Sequence, residues 1–151
     1  MSRALDFFTP TQRDQIKDAI RKAEEMTSGE IRVHLENHVL VDVLDRAAYI
    51  FEQLNMHKTR GRNAVLIYMA VKDGKLAILG DAAIHEVLGS DYWNNTRDLM
   101  LNYFNEGDFI CGVEKAVEDI GQKLKEHFPI DPSDVNELMN EVSDDLSLNE
   151  N

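Results

Sequence analysis

Apolar residues recur along this chain with two alternating periods, and each change of period marks an element. Thr9-Pro10 has the form of an N-cap followed by proline at the first helical position. Ile16, Ala19, Ile20 and Ala23 then return at helical spacing until Gly29. Ile31, Val33 and Leu35 alternate with Arg32, His34 and Glu36, which predicts a short strand near a sheet edge with one covered face. Ala47, Ile50, Phe51 and Leu54 make the stripe of a second helix entered near Asp42 or Asp45. The run from Ala64 to Val71 is apolar throughout, as a strand covered on both faces requires. Lys72-Asp73-Gly74-Lys75 carries the Asp-Gly signal of a tight hairpin, and Leu76 to Leu79 form the returning strand. A short helix is expected over Ala82 to Val87. Leu99, Met100, Tyr103 and Phe104 mark another helix, and Ile110, Val113, Val117, Ile120 and Leu124 one more. The expected architecture is α/β, a small mixed central sheet between helices.

That order has a geometric consequence. A strand, helix, strand unit sets its two strands parallel, and a tight hairpin sets the third antiparallel. The start of the first strand (Ser28-Gly29-Glu30), the start of the second (Arg62-Asn63) and the end of the third (Gly80-Asp81) are then expected at one sheet edge. Two carboxylates and an amide carbonyl from distant segments meet there, and oxygen donors of this kind suit Ca²⁺ or Mg²⁺.

Charge sharpens the picture. The 151 residues hold 28 Asp and Glu against 16 Lys and Arg, a formal net charge of −12 that repels phosphate backbones and argues against nucleic acid as a partner. Seven of the acids (Asp131, Asp134, Glu137, Glu141, Asp144, Asp145 and Glu150) lie beyond Ile130, where there is no Lys or Arg. Residues 1–130 are therefore expected to form the domain, and 131–151 an acidic, disordered tail with too few apolar groups to bury. No apolar run approaches 18 residues and no leader pattern is present, so the expected setting is the cytoplasm, with no membrane partner and a monomeric state. Cys111 stands alone and is read as a small buried residue. The five histidines are read as surface residues, and zinc is not expected.

Several runs resemble the TPM domain family: Ser28-Gly29-Glu30-Ile31-Arg32-Val33, Arg62-Asn63-Ala64-Val65-Leu66-Ile67, Gly80-Asp81, and Phe104-Asn105-Glu106-Gly107-Asp108-Phe109 before a long helix. The tail stretch Asn136-Glu137-Leu138-Met139-Asn140-Glu141 is similar to tails of bacterial members. The resemblance spans roughly residues 10 to 130. It implies a three-layer α/β/α sandwich, Ca²⁺ binding as described for some members, and the acid phosphatase activity of a thylakoid-lumen relative. Carried over by position, it points to Glu30, Asn63 and Asp81 as the metal-end cluster, with Glu106 and Asp108 as further candidates. The chain departs from many relatives in having Ala64 where they have Gly after the Asn, and Asp81 where they have Tyr between two glycines. The added carboxylate favours metal and puts any reaction needing the Tyr in doubt.

Each candidate has a plainer role open to it. Asp81 can cap the following helix, Glu30 can be a solvated strand end, Asn63 can bond loop backbone, and Glu106 and Asp108 can be turn and cap residues. Three functions follow. The first is a Ca²⁺-binding accessory or regulatory module, with Mg²⁺ disfavoured by its demand for octahedral geometry. The second is a metal-dependent phosphatase of low activity, with Arg62, near Arg60, positioning a phosphate oxygen and Asp81 or Glu30 orienting water. The third is a protein-interaction module that uses the acidic tail, with Tyr92-Trp93 on a loop as a contact point.

Overall fold

A computed structural model describes residues 3–130 and 142–144. A 3-10 turn at Ala4–Phe7 leads into α1 (Pro10–Glu24), β1 (Glu30–Glu36) and α2 (Val43–Gln53). A second 3-10 turn at Met56–Lys58 is followed by β2 (Ala64–Ala70), β3 (Lys75–Gly80), α3 (Ala82–Asn105), α4 (Phe109–His127) and β4 (Val142–Asp144). The sheet runs β3-β2-β1-β4, with β1 parallel to β2 and β4, and β2 antiparallel to β3.

Local chemistry sets the boundaries. Thr9 caps α1 reciprocally: its hydroxyl accepts from the Gln12 amide at 3.1 Å, and the Gln12 side chain accepts from the Thr9 amide at 3.0 Å. Asp42 caps α2 by accepting from the Leu44 and Asp45 amides. The β2–β3 turn has Gly74 at φ 65, which a side chain would oppose. Its neighbour Asp73 accepts from the Val39 amide and pairs with His38, each at 2.8 Å, tying the hairpin to the loop after β1.

Two apolar layers sandwich the sheet. On one face Ile31, Val33, Leu35, Val65, Ile67, Leu76 and Ile78 pack against Ile16, Ile20, Met100, Val117 and Ile120 of α1, α3 and α4. On the other, Leu66, Tyr68, Ala70 and Ala77 pack against Ala47, Ile50 and Phe51 of α2. The expected three-layer α/β/α sandwich with a small mixed sheet is what forms.

Several expectations need correction. The first strand does lie near an edge, beside only the short β4, but all seven of its residues are buried and it is covered on both faces. Its polar row is therefore not a solvated face. Arg46 of α2 donates to both Glu36 oxygens at 2.8 and 2.6 Å, and the Tyr68 hydroxyl donates to Glu36 at 2.6 Å. His34, expected at the surface, is fully buried beside Glu36 and stacks on Tyr68. The helix expected at Ala82–Val87 is present and breaks at Gly89, whose φ 78 and ψ 169 are not helical, and the next helical segment follows directly without a loop, the two together making α3. Trp93 therefore sits in the helix, 6% exposed, its indole N–H donating to His85 at 3.0 Å. Gly80 lies so close to the Trp93 ring that a Cβ there would overlap it. Of the tail expected to be disordered, Val142–Asp144 form β4, and the rest lies outside the described residues. Among the described residues no helix is long and apolar enough to cross a membrane.

Burial pushes the Tyr68 phenol well up, and the Glu36 carboxylate it donates to raises it further, so the hydroxyl keeps its proton across the neutral range. Tyr68→Phe keeps the ring and removes this donor, so it is expected to lower stability by about 1.5–3 kcal/mol with an unchanged m value in urea. A loss below about 0.5 kcal/mol would mean that Arg46 alone satisfies Glu36.

Candidate functional site

The edge anticipated from topology exists. Glu30 registers opposite Ala64, and the Asp81 amide donates to the Ala64 carbonyl at 2.9 Å, so the starts of β1 and β2 and the end of β3 adjoin. The loop entering β2 runs from Asn55 to Asn63. It contains the two non-glycine residues with positive φ among those described, Asn55 at 59° and Arg62 at 49°. Left-handed backbone at an arginine costs roughly 1–2 kcal/mol, so its surroundings must hold it there. They do so from both ends. The Arg62 carbonyl accepts from the Ala83 amide at 2.9 Å, while its Nε and Nη2 donate to Asp81 Oδ2 and Oδ1 at 2.7 and 2.8 Å.

Asp81 is committed on both oxygens, because Oδ1 also accepts from the Ala82 amide at 2.7 Å and so caps α3. Burial pushes its carboxyl up. The hydrogen bonds from Arg62 and Ala82, with the Arg62 charge and a smaller contribution from His57, outweigh that and hold it below the ordinary value. A carboxylate fixed this way anchors the arginine and the helix; it is not an open ligand.

Sharing an edge is not sharing a face. Alternation along the strands turns Glu30, Arg62 and Asp81 toward α2 and Asn63 toward the opposite layer. Asn63 is 1% exposed, and its amide nitrogen donates to Ser28 Oγ at 3.3 Å. Its Oδ1 is buried without a hydrogen-bond partner, as are Thr59 Oγ1 and His57 Nδ1 in the same loop. Glu30 is a buried carboxylate one strand away. Glu106 and Asp108 are not part of this edge. The other end of α4 is the one that reaches it: Leu124 meets Gly29 and the Phe128 carbonyl accepts from the Ser28 amide, whereas Phe109 packs on Phe7. A helix of 19 residues separates the two ends by about 28 Å. Asp108 instead accepts from the Cys111 amide as the cap of α4, and Glu106 is the C-cap residue that follows α3. Cys111, expected to be buried, is exposed, and its hydrogen bond with Asp108 raises the thiol above its ordinary value, away from nucleophilic reactivity.

Among the described residues, no group of three or more His, Cys, Asp or Glu is placed to hold a metal ion. His34 and His38 are four apart, but on extended chain this separates them by roughly 13 Å. Toward α2 the edge opens into a shallow pocket of about 400 Å³, floored by Phe51 and Leu79 and rimmed by Glu52, His57, Arg62 and Asp81. His57 was not a sequence candidate. It sits on a three-residue 3-10 turn with no periodicity to single it out, and only its proximity to Arg62 in the chain hints at it.

The chain matches the family model described as TPM domain over residues 2–123. Its fold superposes on the NMR structure of the BA42 protein from the psychrophilic bacterium Bizionia argentinensis with a TM-score of 0.86. The two are 42% identical, covering 95% of this chain and 99% of that one. The N-terminal domain of a protein from P. gingivalis shares the fold at 16% identity and a TM-score of 0.64, covering 80% of each chain. Comparison with curated proteins returned no match.

The Arg62–Asp81 pair carries a pH signature. A carboxyl held below its unfolded value adds stability above the unfolded pKa near about 3.9, and loses it as pH falls through the lower folded value. In Arg62→Ala the Asp81 carboxyl is expected to titrate higher than in the parent protein, and acid unfolding to begin at higher pH. Side-chain carboxyl NMR across pH 2–6 reads this directly; an unmoved Asp81 titration would show that the Ala82 amide holds it down alone.

Proposed function

Because the chain belongs to the TPM domain family, we propose that it is a divalent-cation-binding module that takes Ca²⁺ in preference to Mg²⁺ at the edge where β1 and β2 begin. The observation that carries this reading is the buried Asn63 Oδ1, an amide oxygen with no hydrogen-bond partner. A buried acceptor left unsatisfied costs about 1–3 kcal/mol, and a cation or its water shell would recover it. Ser28 Oγ adds a second neutral oxygen, already in contact with Asn63, while Glu30, turned to the other face at the start of the neighbouring strand, adds negative charge from a distance and is not a ligand. Asp81 takes no part as a ligand, since Arg62 and Ala82 occupy its oxygens. The net charge of −12 raises the local cation concentration. With so few protein oxygens, water completes the shell and affinity falls on the order of 10⁻⁴ to 10⁻³ M; the flexible coordination favours Ca²⁺ over Mg²⁺.

The pocket on the α2 side supports a second reading, weak phosphate-ester hydrolysis. There Arg62, held by Asp81, could position an oxyanion near His57.

A Ca²⁺ titration of ¹⁵N-labelled protein separates the two. The cation reading expects saturable shifts at Ser28–Glu30 and Arg62–Asn63 that vanish in Asn63→Ala, weaken in Glu30→Gln and survive in Asp81→Asn. Shifts that survive Asn63→Ala, or none at all, would sink it. The second reading requires turnover of p-nitrophenyl phosphate that falls at least about tenfold in Arg62→Ala; no turnover by the parent protein removes it.

A further inference from the structure

We infer that the outer edge of β1 is a strand-acceptor site, that Val142–Asp144 are its exchangeable occupant in cis, and that its occupant in trans is an extended cationic peptide segment. The direction of the β1 peptide groups carries the inference. The Ile31 amide donates to the Glu24 carboxylate at 2.8 Å, away from β2. At the other end the Glu36 carbonyl accepts from the Val71 amide, on the β2 side. Alternation then turns Arg32, His34 and Glu36 toward β2, and Ile31, Val33 and Leu35 toward the outer edge.

Glu24 answers the Ile31 amide; β4 answers the Val33 carbonyl and the Leu35 amide, since it registers Val142, Ser143 and Asp144 beside Val33, His34 and Leu35. By parallel-ladder geometry Ser143 is the bridging residue, its N–H toward the Val33 carbonyl and its carbonyl toward the Leu35 N–H. The strand is three residues long, whereas β1 has seven. The chain leaves α4 beside the start of β1, where Thr27 bridges to Pro129, and residues 131–141 connect that point to β4. So short a ladder opens at a small fraction of the cost of global unfolding.

Charge selects the competitor. The cis segment carries seven acids beyond Ile130 and no Lys or Arg, and the whole chain stands at −12, so a second copy is repelled and a cationic strand is attracted. Main-chain hydrogen bonds supply its affinity, and an apolar residue in the Val142 position, beside Val33, sets its register.

The test uses the full chain and its Ser143→Pro variant, which lacks the bridging N–H. By NMR-detected hydrogen exchange, the Leu35 amide is expected to exchange at least about tenfold faster in the variant, with His34 and Ile67 unchanged. The peptide Lys-Lys-Val-Thr-Val-Lys-Lys is expected to bind the variant about tenfold more tightly than the parent and to restore protection at Leu35. Lys-Lys-Gly-Pro-Gly-Lys-Lys is expected to do neither. Unchanged exchange at Leu35, equal affinity for parent and variant, or equal effects of the two peptides would overturn the inference.

Discussion

The burial of Glu36 is the constraint from which much of this structure follows. Parallel pairing of β1 with β2 demands a crossover helix, and that helix must cover a face on which β1 presents Arg32, His34 and Glu36. A carboxylate in that position is tolerable only with donors brought to it. Arg46 comes from α2 and the Tyr68 hydroxyl from β2, so one side chain ties the crossover helix to both parallel strands. The Arg46 guanidinium also lies 5.1 Å from the Tyr49 ring, which keeps its outer surface partly covered while its nitrogens face inward.

Once α2 is fixed, the chain has only the segment after Gln53 in which to turn and enter β2 in register. Two residues of that loop, Asn55 and Arg62, take left-handed backbone to do it. The strain at Arg62 is held by Asp81, which lies at the end of β3 and begins α3. The ion pair is therefore a clasp between the entry to one strand and the exit of its hairpin partner. This is why the carboxylate that looks most available in the sequence is the most committed in the fold, and why the unsatisfied oxygen falls to its neutral neighbour Asn63.

How much of this was legible follows from what a one-dimensional pattern encodes. Thr9-Pro10, Asp42 and Asp73-Gly74 act through neighbours within three residues, so their roles could be read from the chain and appear as expected. The unbroken apolar run Ala64–Val71 fixed β2 as a central strand, and the strand, helix, strand, hairpin order fixed the shared edge. The polar alternation of β1 misled, because a solvated face and a face neutralised by Arg46 and Tyr68 look identical until the partners are known. The same holds for Asp81, whose partner is 19 residues away, and for Glu106 and Asp108, which α4 carries to the far end of the molecule. The helix read over Ala82 to Val87 does end at Gly89, whose backbone is not helical, and what the pattern did not show is that the next helical segment follows at once and packs Trp93 on Gly80.

The two sheet edges meet one hazard in different ways. An unpaired strand edge invites association with other chains unless it is short, charged or covered. The β3 edge is six residues long, opens on an exposed Lys75 and runs into α3 at Gly80. The β1 edge cannot use charge in this way, because its outward peptide groups belong to Ile31, Val33 and Leu35, residues of the apolar core. It is covered instead, by a glutamate for the first and by a short C-terminal strand for the other two. That strand lies within a run of seven acids, so the segment that closes the edge also discourages other copies of the chain from opening it.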